Sequence, residues 1–328
     1  MIDKYFPFYV FIFFITLAIT VIASRLLIPL LKLGAKQPIY EDGPKWHLAK
    51  SGTPTMGGIS FLIAILISLS LASIYLFVKG EAKASLSLIT ALIYAVLNAA
   101  IGIIDDKRKL KRKENGGLTP TEKILLQSAI AILFLSVRYL LIGNEAILCF
   151  SFGEVDIGWL YYPLAFIILI GITNCANLTD GIDGLASGVA FAIGVSFFYI
   201  SCALSPEVAF ASAAIMGATI GFLIFNIHPA KVFMGDTGSL MLGSLTAAMA
   251  IMLGNPLCIL VIGGVYCIEG ASVIIQVLVY KLTKKRVFKM APIHHHLEKC
   301  GWSENKICVV AMIVTLLLAL PVYAFYLP

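Results

Sequence analysis

The sequence predicts an all-α integral membrane protein with about ten transmembrane helices. Hydrophobic residues make up 60% of the 328 residues and charged residues only 13%, which lies far outside the range of soluble globular proteins. A run of roughly 20 apolar residues crosses a bilayer as one helix, and even the shortest runs here reach the lower limit of that length. The runs lie at about 5–31, 58–78, 84–104, 121–142, 159–175, 185–203, 207–226, 238–254, 256–280 and 306–327.

The connections between the runs are short, so the whole chain, 1–328, is predicted to form a single polytopic membrane domain. The first run, from Tyr5 to about Leu31, is too long for the apolar part of a cleavable signal peptide. An alternating segment, Ala146–Trp159, predicts a small extracytoplasmic β-hairpin around Gly153. The seven cysteines are scattered and form no C-x-x-C pair, so neither a disulfide framework nor a zinc site is indicated.

Positive charge is distributed unequally between the two sides of the predicted helix bundle. Nineteen of the 24 lysines and arginines fall near the loops after the first, third, fifth, seventh and ninth runs, whereas the other side has only Lys4, Lys79 and Lys83. The positive-inside rule places the basic loops in the cytoplasm and both termini outside. The polar, glycine-bearing stretches fall on the same side, which predicts one site at the cytoplasmic face.

Two adjacent carboxylates, Asp105 and Asp106, end the third run immediately before a basic segment. A carboxylate at a membrane edge is costly unless it is wet, paired or bound to a cation, and a hard divalent ion with oxygen ligands can hold two of them ionised. The alternative is a solvated helix end followed by a basic loop that only sets topology.

The stretch NCANLTDGIDGLA carries amides and carboxylates at steps of three, at Asn174, Asn177, Asp180 and Asp183. On a helix or a tight polar turn this spacing puts them on one face, where they suit sugar hydroxyls, a base edge or a metal. Helix capping alone would explain one aspartate, not four such groups.

Two further stretches lie at the same membrane face. In FNIHPAKVFMGDTGS, Asp236 suits either a metal ligand or a helix N-cap, and Phe233 either stacks on a nucleobase or anchors in the membrane interface. In KSGTPTMGG, Lys50 precedes a helix start and forms a general anion site, although the order of residues is not that of a P-loop.

His294, His295 and His296 are consecutive, and on a helix they would point about 100° apart. We therefore expect them to converge in a loop, which Pro292 favours, and to donate to phosphate or assist acid–base chemistry; zinc binding is the competing interpretation.

Glu269 is the one carboxylate in the middle of a run, and both a functional and a structural pairing role suit it. The glycines at 263, 264 and 270 allow this ninth run to bend or break.

These residues together carry a resemblance to a known family. The stretches are GTPTMGG at 52–58, the Asp105-Asp106 pair, NLTDGIDGLA at 177–186, NIHPAKVFMGDTGSL at 226–240 and PIHHHLEK at 292–299. In this order they resemble the bacterial phospho-N-acetylmuramoyl-pentapeptide transferases of the polyprenyl-phosphate N-acetylhexosamine-1-phosphate transferase superfamily. The three histidines favour this branch over the N-acetylglucosamine branch.

The resemblance implies a homodimeric, Mg²⁺-dependent enzyme of the bacterial inner membrane with its active site facing the cytoplasm. It would transfer phospho-MurNAc-pentapeptide from its UDP carrier to undecaprenyl phosphate, giving lipid I and UMP, the first membrane step of peptidoglycan synthesis. A broken ninth span would leave a groove for the lipid, and no nucleic-acid partner is expected.

The resemblance also assigns roles to individual residues. It places the metal ligand on Asp236 and catalytic roles on Asp105, Asp106, Asp236, His294 and His295. Substrate binding is predicted for Lys50, Thr55, Lys123, Asn177, Asp180, Asp183, Asn226, Phe233 and His296.

Elementary electrostatics also favours this reaction. Both substrates are anions, and Mg²⁺ and lysines lower the barrier to phosphoryl transfer between them.

Two other classes of protein remain as alternatives. A CDP-alcohol phosphatidyltransferase would need Ala-Arg shortly after a D-G pair, whereas Leu185-Ala186-Ser187 follows here. An ion-coupled transporter would use Glu269 as its ion site, but neither inverted repeats nor convincing midplane polar residues accompany it.

Overall fold

The computed structural model describes residues 4–34, 52–112, 117–143, 146–150 and 153–326. These residues form twelve α-helices and one two-stranded sheet, which confirms the predicted all-α membrane class. The helices are α1 (Phe6–Gly34), α2 (Gly58–Val78), α3 (Ala82–Arg112), α4 (Pro120–Leu141), α5 (Tyr161–Thr179), α6 (Leu185–Ser201), α7 (Pro206–Asn226), α8 (Gly235–Met252), α9 (Cys258–Ile262), α10 (Gly264–Thr283), α11 (Ile293–Glu298) and α12 (Glu304–Tyr326).

Eight of the described helices are long and apolar enough to cross a membrane, so the chain is a multi-pass membrane protein. The eight are α1, α2, α3, α4, α5, α7, α10 and α12. Helices α6 and α8 occupy two further predicted spans, but they are only 17 and 18 residues long. The count of ten spans, the outside location of both termini and the single domain stay predictions.

The ninth predicted span is divided at Gly263, which separates the short helix α9 from α10. The break therefore lies at one of the three glycines that predict a bend or break in this span. The predicted hairpin is also confirmed: β1 (Ile147–Phe150) pairs antiparallel with β2 (Gly153–Asp156). Gly153 begins β2 at φ +139°, a conformation that glycine adopts without the steric penalty of a side chain.

Helix α8 lies at the centre of the bundle, with every residue from Thr237 to Met252 buried. It packs against α2, α3 and α5, and small residues allow the backbones to approach closely, as at small-residue helix contacts in membranes. Gly243 contacts the Thr173 and Ala176 region of α5, and Gly238 lies against Gly58 at the start of α2. The first turn of α8 is thereby held at the face where α3 and α5 end.

Candidate active site

One face of α3 carries Gly102, Asp105, Asp106 and Lys109, because residues three, four and seven positions apart lie above one another on a helix. A β-carbon at Gly102 would overlap the backbone of Asp236 and of the residue after it. The α3 and α8 backbones therefore touch at Gly102. One turn later, both aspartates reach the first turn of α8.

The Asp106 carboxylate caps the N-terminus of α8 from another helix. Its Oδ1 accepts the Asp236 N–H (3.1 Å), and its Oδ2 accepts the N–H (3.0 Å) and the hydroxyl (2.7 Å) of Thr237. The free N–H groups and the dipole of a helix N-terminus both favour an anion there. Asp236 itself is not the cap: the N-cap position is Met234, so the N-cap alternative for Asp236 is wrong.

The Asp236 side chain points instead to a cluster of charges with Asp105. Lys109 Nζ lies 2.7 Å from Asp105 Oδ2 and 3.2 Å from Asp236 Oδ1. Lys123, from the first turn of α4, lies 3.2 Å from Asp105 Oδ2 and also pairs with Asp236 Oδ2. The two lysines thus bridge the two aspartates, and Leu118 donates its N–H to Asp105 Oδ1 (2.6 Å).

The chemistry of these donors fits a hard divalent cation. One carboxylate oxygen from each of Asp105, Asp106 and Asp236 lies within 4.8 Å of the others, and Mg²⁺ prefers carboxylate oxygens. Three carboxylates facing two ammonium groups leave a net negative charge. Asp236, the predicted metal ligand, is part of this set, and Asp105 is the second carboxylate that is not used as a helix cap.

Lys109 is absent from the sequence-based site prediction, which counted it only among the basic residues that set topology. A signal was present, since Lys109 follows Asp105 by four residues on a helix and such pairs face each other. The surrounding run of basic residues masked this signal. Lys123, which is predicted to bind substrate, also lies in this cluster.

The polar residues at the end of α5 divide between two environments. Asn177 Nδ2 donates to Asp236 Oδ1 (3.2 Å) and to the hydroxyl of Ser239 (2.8 Å), which holds Asp236 from the α5 side. Asn174 instead donates to Gln127 on α4 (2.7 Å). Asp183 lies in the turn after α5, where its carboxylate accepts the Ala230 N–H (3.0 Å). The four groups therefore do not share one face, because α5 ends at Thr179.

Asp180 is half-buried and lies directly after the end of α5. Burial raises the pKa of the Asp180 carboxyl well above its usual range, and the negative charges of Asp236 and Asp106 raise it further. These charges act on Asp180 because it lies beside the aspartate cluster. A cation bound to the cluster would oppose the shift.

Two loops join beside the first turn of α8. The Phe233 N–H donates to Pro54 O (2.8 Å), and the Gly57 N–H donates to Phe233 O (2.9 Å). Thr55 is buried next to Gly235 in this junction, and the Phe233 ring is half-buried.

Asn226, another predicted substrate-binding residue, has a structural part in the same region. Its amide accepts the Gly184 N–H (3.1 Å) and donates to Val232 O (3.0 Å), so it ties the start of α6 to this loop. Lys50 lies outside the described residues.

The prediction that the three histidines converge in a loop is wrong, because they lie on the short helix α11. Pro292 occupies its N-cap position, and proline, which lacks an N–H, is tolerated at a helix start. The rings of His294 and His295 contact each other edge to face, with centroids 4.2 Å apart, but the three side chains have separate hydrogen-bond partners. His294 pairs with Glu269 (3.0 Å), His295 with Glu298 (2.6 Å), and the Nδ1 of His296 accepts a backbone N–H (3.1 Å).

Within the described part of the chain, two clusters of three or more metal-binding side chains occur, and neither contains the three histidines. One is the aspartate cluster. The other joins Asp183, His228 and Glu304, where His228 Nδ1 lies 3.0 Å from the Asp183 carboxylate. The zinc interpretation of the histidine run gains no support from this geometry.

Two family descriptions match parts of this chain. Residues 88–254 match the family described as Glycosyl transferase family 4, a range that runs from α3 to just beyond α8 and includes all three aspartates. Residues 50–62 match the phospho-N-acetylmuramoyl-pentapeptide-transferase signature 1.

Whole-length relatives decide the family. The chain is 45% identical over 310 residues to a phospho-N-acetylmuramoyl-pentapeptide-transferase of Halalkalibacterium halodurans, covering 93% of this chain and 94% of the relative. It is 43% identical to the Clostridioides difficile protein of the same name, over 93% of this chain and 94% of the relative. The chain belongs to the phospho-N-acetylmuramoyl-pentapeptide-transferase family. In this family member, the aspartate cluster lies within residues 88–254, the range that matches Glycosyl transferase family 4, whereas the three histidines lie beyond that range.

Proposed function

We propose that this chain transfers phospho-MurNAc-pentapeptide from UDP-MurNAc-pentapeptide to undecaprenyl phosphate, giving lipid I and UMP. The observation that carries the proposal is the cluster of three aspartates and two lysines at the first turn of α8, in a chain of this transferase family. We further propose that the enzyme is a homodimer in the bacterial inner membrane, with this cluster on the cytoplasmic side.

The reaction joins two anions. A phosphate oxygen of the lipid attacks the phosphorus next to the sugar, and the bond from that phosphorus to the oxygen of UMP breaks. Charge repulsion opposes the approach, so positioned positive charge lowers the barrier. Lys109 and Lys123 supply two ammonium groups at fixed positions, since each is bridged between Asp105 and Asp236.

Asp236 and Asp105 would hold Mg²⁺, which stabilises negative charge on the transferring phosphoryl group when it is bound. Asp106 contributes by fixing the first turn of α8, and Asn177 by fixing the Asp236 carboxylate. We favour direct attack by the lipid phosphate, which is largely ionised near neutral pH, so that Asp105 orients groups at the centre and a general base is not indispensable. Trapping a phosphosugar on Asp105 or Asp106 without lipid acceptor would establish a two-step route instead.

The proposed substrate contacts surround this centre. We expect a nucleotide to contact Asp180 and the ring of Phe233, which are half-buried near the first turn of α8. Thr55 is buried next to Gly235 at the same turn, and Asn226 and Asp183 hold the loops in place. We place the lipid chain at the division between α9 and α10. Leu260, Val261 and Ile268, on the two helices, are exposed there.

The test uses the full chain, purified in detergent with Mg²⁺ and undecaprenyl phosphate. UDP-MurNAc-pentapeptide and UDP-N-acetylglucosamine are offered as separate donors, and UMP and labelled lipid product are measured. We expect turnover with the first donor only. Preference for the second donor would move the chain to the N-acetylglucosamine branch, and solute uptake into proteoliposomes without UMP release would indicate a transporter.

A further inference from the structure

We propose that Glu269 is a positioning residue that acts through His294 by fixing the orientation and the tautomer of its ring. This inference rests on the proposed function for its consequence in turnover, but the geometry behind it is independent of any substrate. Glu269 lies in the second turn of α10, and His294 lies on α11, 25 residues further along the chain.

Both side chains are almost completely buried, with 2% of Glu269 and 1% of His294 exposed. Oε2 of Glu269 lies 3.0 Å from Nδ1 of His294 and 3.4 Å from the backbone N–H of the same residue. One carboxylate oxygen thus holds both the ring and the backbone. A buried carboxylate without such partners would be strongly destabilising.

The pairing determines which ring nitrogen stays available. A carboxylate accepts, so Nδ1 of His294 carries a hydrogen and donates it to Glu269. The second nitrogen, Nε2, is buried and has no hydrogen-bond partner among the described residues. Buried polar atoms in proteins are nearly always satisfied, so this nitrogen is available to accept a hydrogen bond from a group beyond the described residues, and we assign that group to the substrate.

The free nitrogen faces the turn between α5 and α6. A β-carbon on Gly181 would overlap Nε2 and Cε1 of His294, so the ring edge fits here because position 181 has no side chain. Asp180, beside the aspartate cluster, is the preceding residue. The hydroxyl of Tyr266, one turn before Glu269 on α10, is also buried without a described partner. Nε2 of His294 therefore faces a turn at the edge of the proposed active site.

A purely structural hydrogen bond would use the same Nδ1 contact to hold α10 against α11, and its loss would act on stability alone. Positioning predicts that the effect of Glu269 on turnover passes through His294 and disappears when the imidazole is absent.

The first experiment observes the tautomer without turnover. Full-length protein carrying ¹⁵N-labelled histidine is studied in detergent by NMR, and the His294 signal is assigned among the five histidines by its loss in His294→Asn. We expect Nδ1 to be protonated in the wild type and the ring to shift towards the Nε2-protonated form in Glu269→Met. An unprotonated Nδ1 in the wild type, or an unchanged pattern in Glu269→Met, would overturn the proposal.

The second experiment is a double-mutant cycle on kcat. Asparagine at 294 retains a group near Nδ1 that can pair with Glu269 but has nothing at the position of Nε2. We expect Glu269→Met to lower kcat by about 10- to 100-fold, because misplacing one group by ~1 Å has an effect of that order. Glu269→Gln retains an acceptor and should recover much of the loss. The double variant should be no slower than His294→Asn alone, and fully multiplicative losses would refute positioning.

A third variant displaces the same ring from the opposite side. Gly181→Ala should lower kcat as Glu269→Met does, and it should have little further effect in the His294→Asn background, where the shorter side chain leaves room. Gly171→Ala is the matched control on α5, since no atom lies within 4 Å of its β-carbon position. Equal effects of the two alanines would contradict the steric argument. A wild type that releases no UMP would refute the proposed function, whereas the NMR result would still decide the role of Glu269.

Discussion

Replacing Asp106 with asparagine separates its structural contribution from that of its neighbour Asp105. In the wild type the Asp106 carboxylate receives three hydrogen bonds from the first turn of α8, one at Oδ1 and two at Oδ2. An asparagine has one acceptor oxygen and one NH₂ group. If the oxygen keeps the two bonds from Thr237, the NH₂ group faces the Asp236 N–H, and two donors oppose each other.

The magnitude follows from these contacts. Losing a charge-assisted hydrogen bond at a buried helix end costs about 1.5–3 kcal/mol, and removing the anion from a partly buried helix N-terminus costs ~0.3–2 kcal/mol more. We therefore expect Asp106→Asn to lower the free energy of unfolding by about 2–5 kcal/mol. Because Asp236 is the residue whose N–H loses its acceptor, its carboxylate also shifts, and kcat should fall by roughly 100-fold.

Asp105→Asn is the matched control, since the two residues are adjacent and both are buried. Asp105 receives one backbone N–H, from Leu118, and both of its lysine partners keep Asp236, so its replacement should lower activity with a smaller loss of stability. Thermal unfolding in detergent, followed by the loss of the monodisperse peak in size-exclusion chromatography, measures the difference. Equal melting temperatures for the two variants would show that Asp106 does not anchor α8.

Three further variants test the centre itself. Asp236→Asn keeps the size of the side chain but weakens a hard-cation ligand, so turnover should fall by orders of magnitude and recover partly at high Mg²⁺; near-wild-type turnover at low Mg²⁺ would remove Asp236 from the metal site. Lys109→Met should lower kcat by about 10- to 100-fold, because it removes a charge-assisted hydrogen bond that contributes about 1.5–3 kcal/mol. Replacing the exposed Lys107 with methionine should have no effect. Equal activities of the two variants would show that Lys109 only sets the topology. Gly102→Ala should destabilise the protein and reduce activity together, as its β-carbon would displace the Asp236 backbone, and a stable, active variant would exclude the close helix contact.

The helices and the candidate residues follow from the sequence to different extents. Span positions are predictable because a bilayer imposes a length and an apolar composition on each helix. One site at a single membrane face was predicted from the sequence, and Asp105, Lys123 and Asp236 all lie at that predicted face, but their direct contacts were not predicted. The different tasks of Asp105 and Asp106 were not predictable, since only contact with α8 makes one of them a helix cap.

The histidines show where local inference fails. Pro292 favours a loop when only its neighbours are considered, but it precedes a helix of six residues, on which the three histidines take different partners. The pairing of His294 with Glu269 joins residues 25 positions apart. It depends on how α11 packs against α10, and no spacing rule in the sequence encodes that contact.

Helix α8 carries the proposed metal ligand, and it is less apolar than the eight helices that qualify as membrane spans. A helix that faces lipid must be apolar on its outer side, whereas a helix surrounded by other helices gains more from close backbone contact. Helix α8 is rich in glycine, alanine, serine and threonine and is buried along almost its whole length, so it is not among the eight helices that qualify as spans. The same small residues allow Gly58, Gly102 and Thr173 to approach it. The small residues of α8 let three neighbouring helices surround it, which shields it from lipid. The same close packing brings Asp236 to the carboxylates and lysines of α3 and α4.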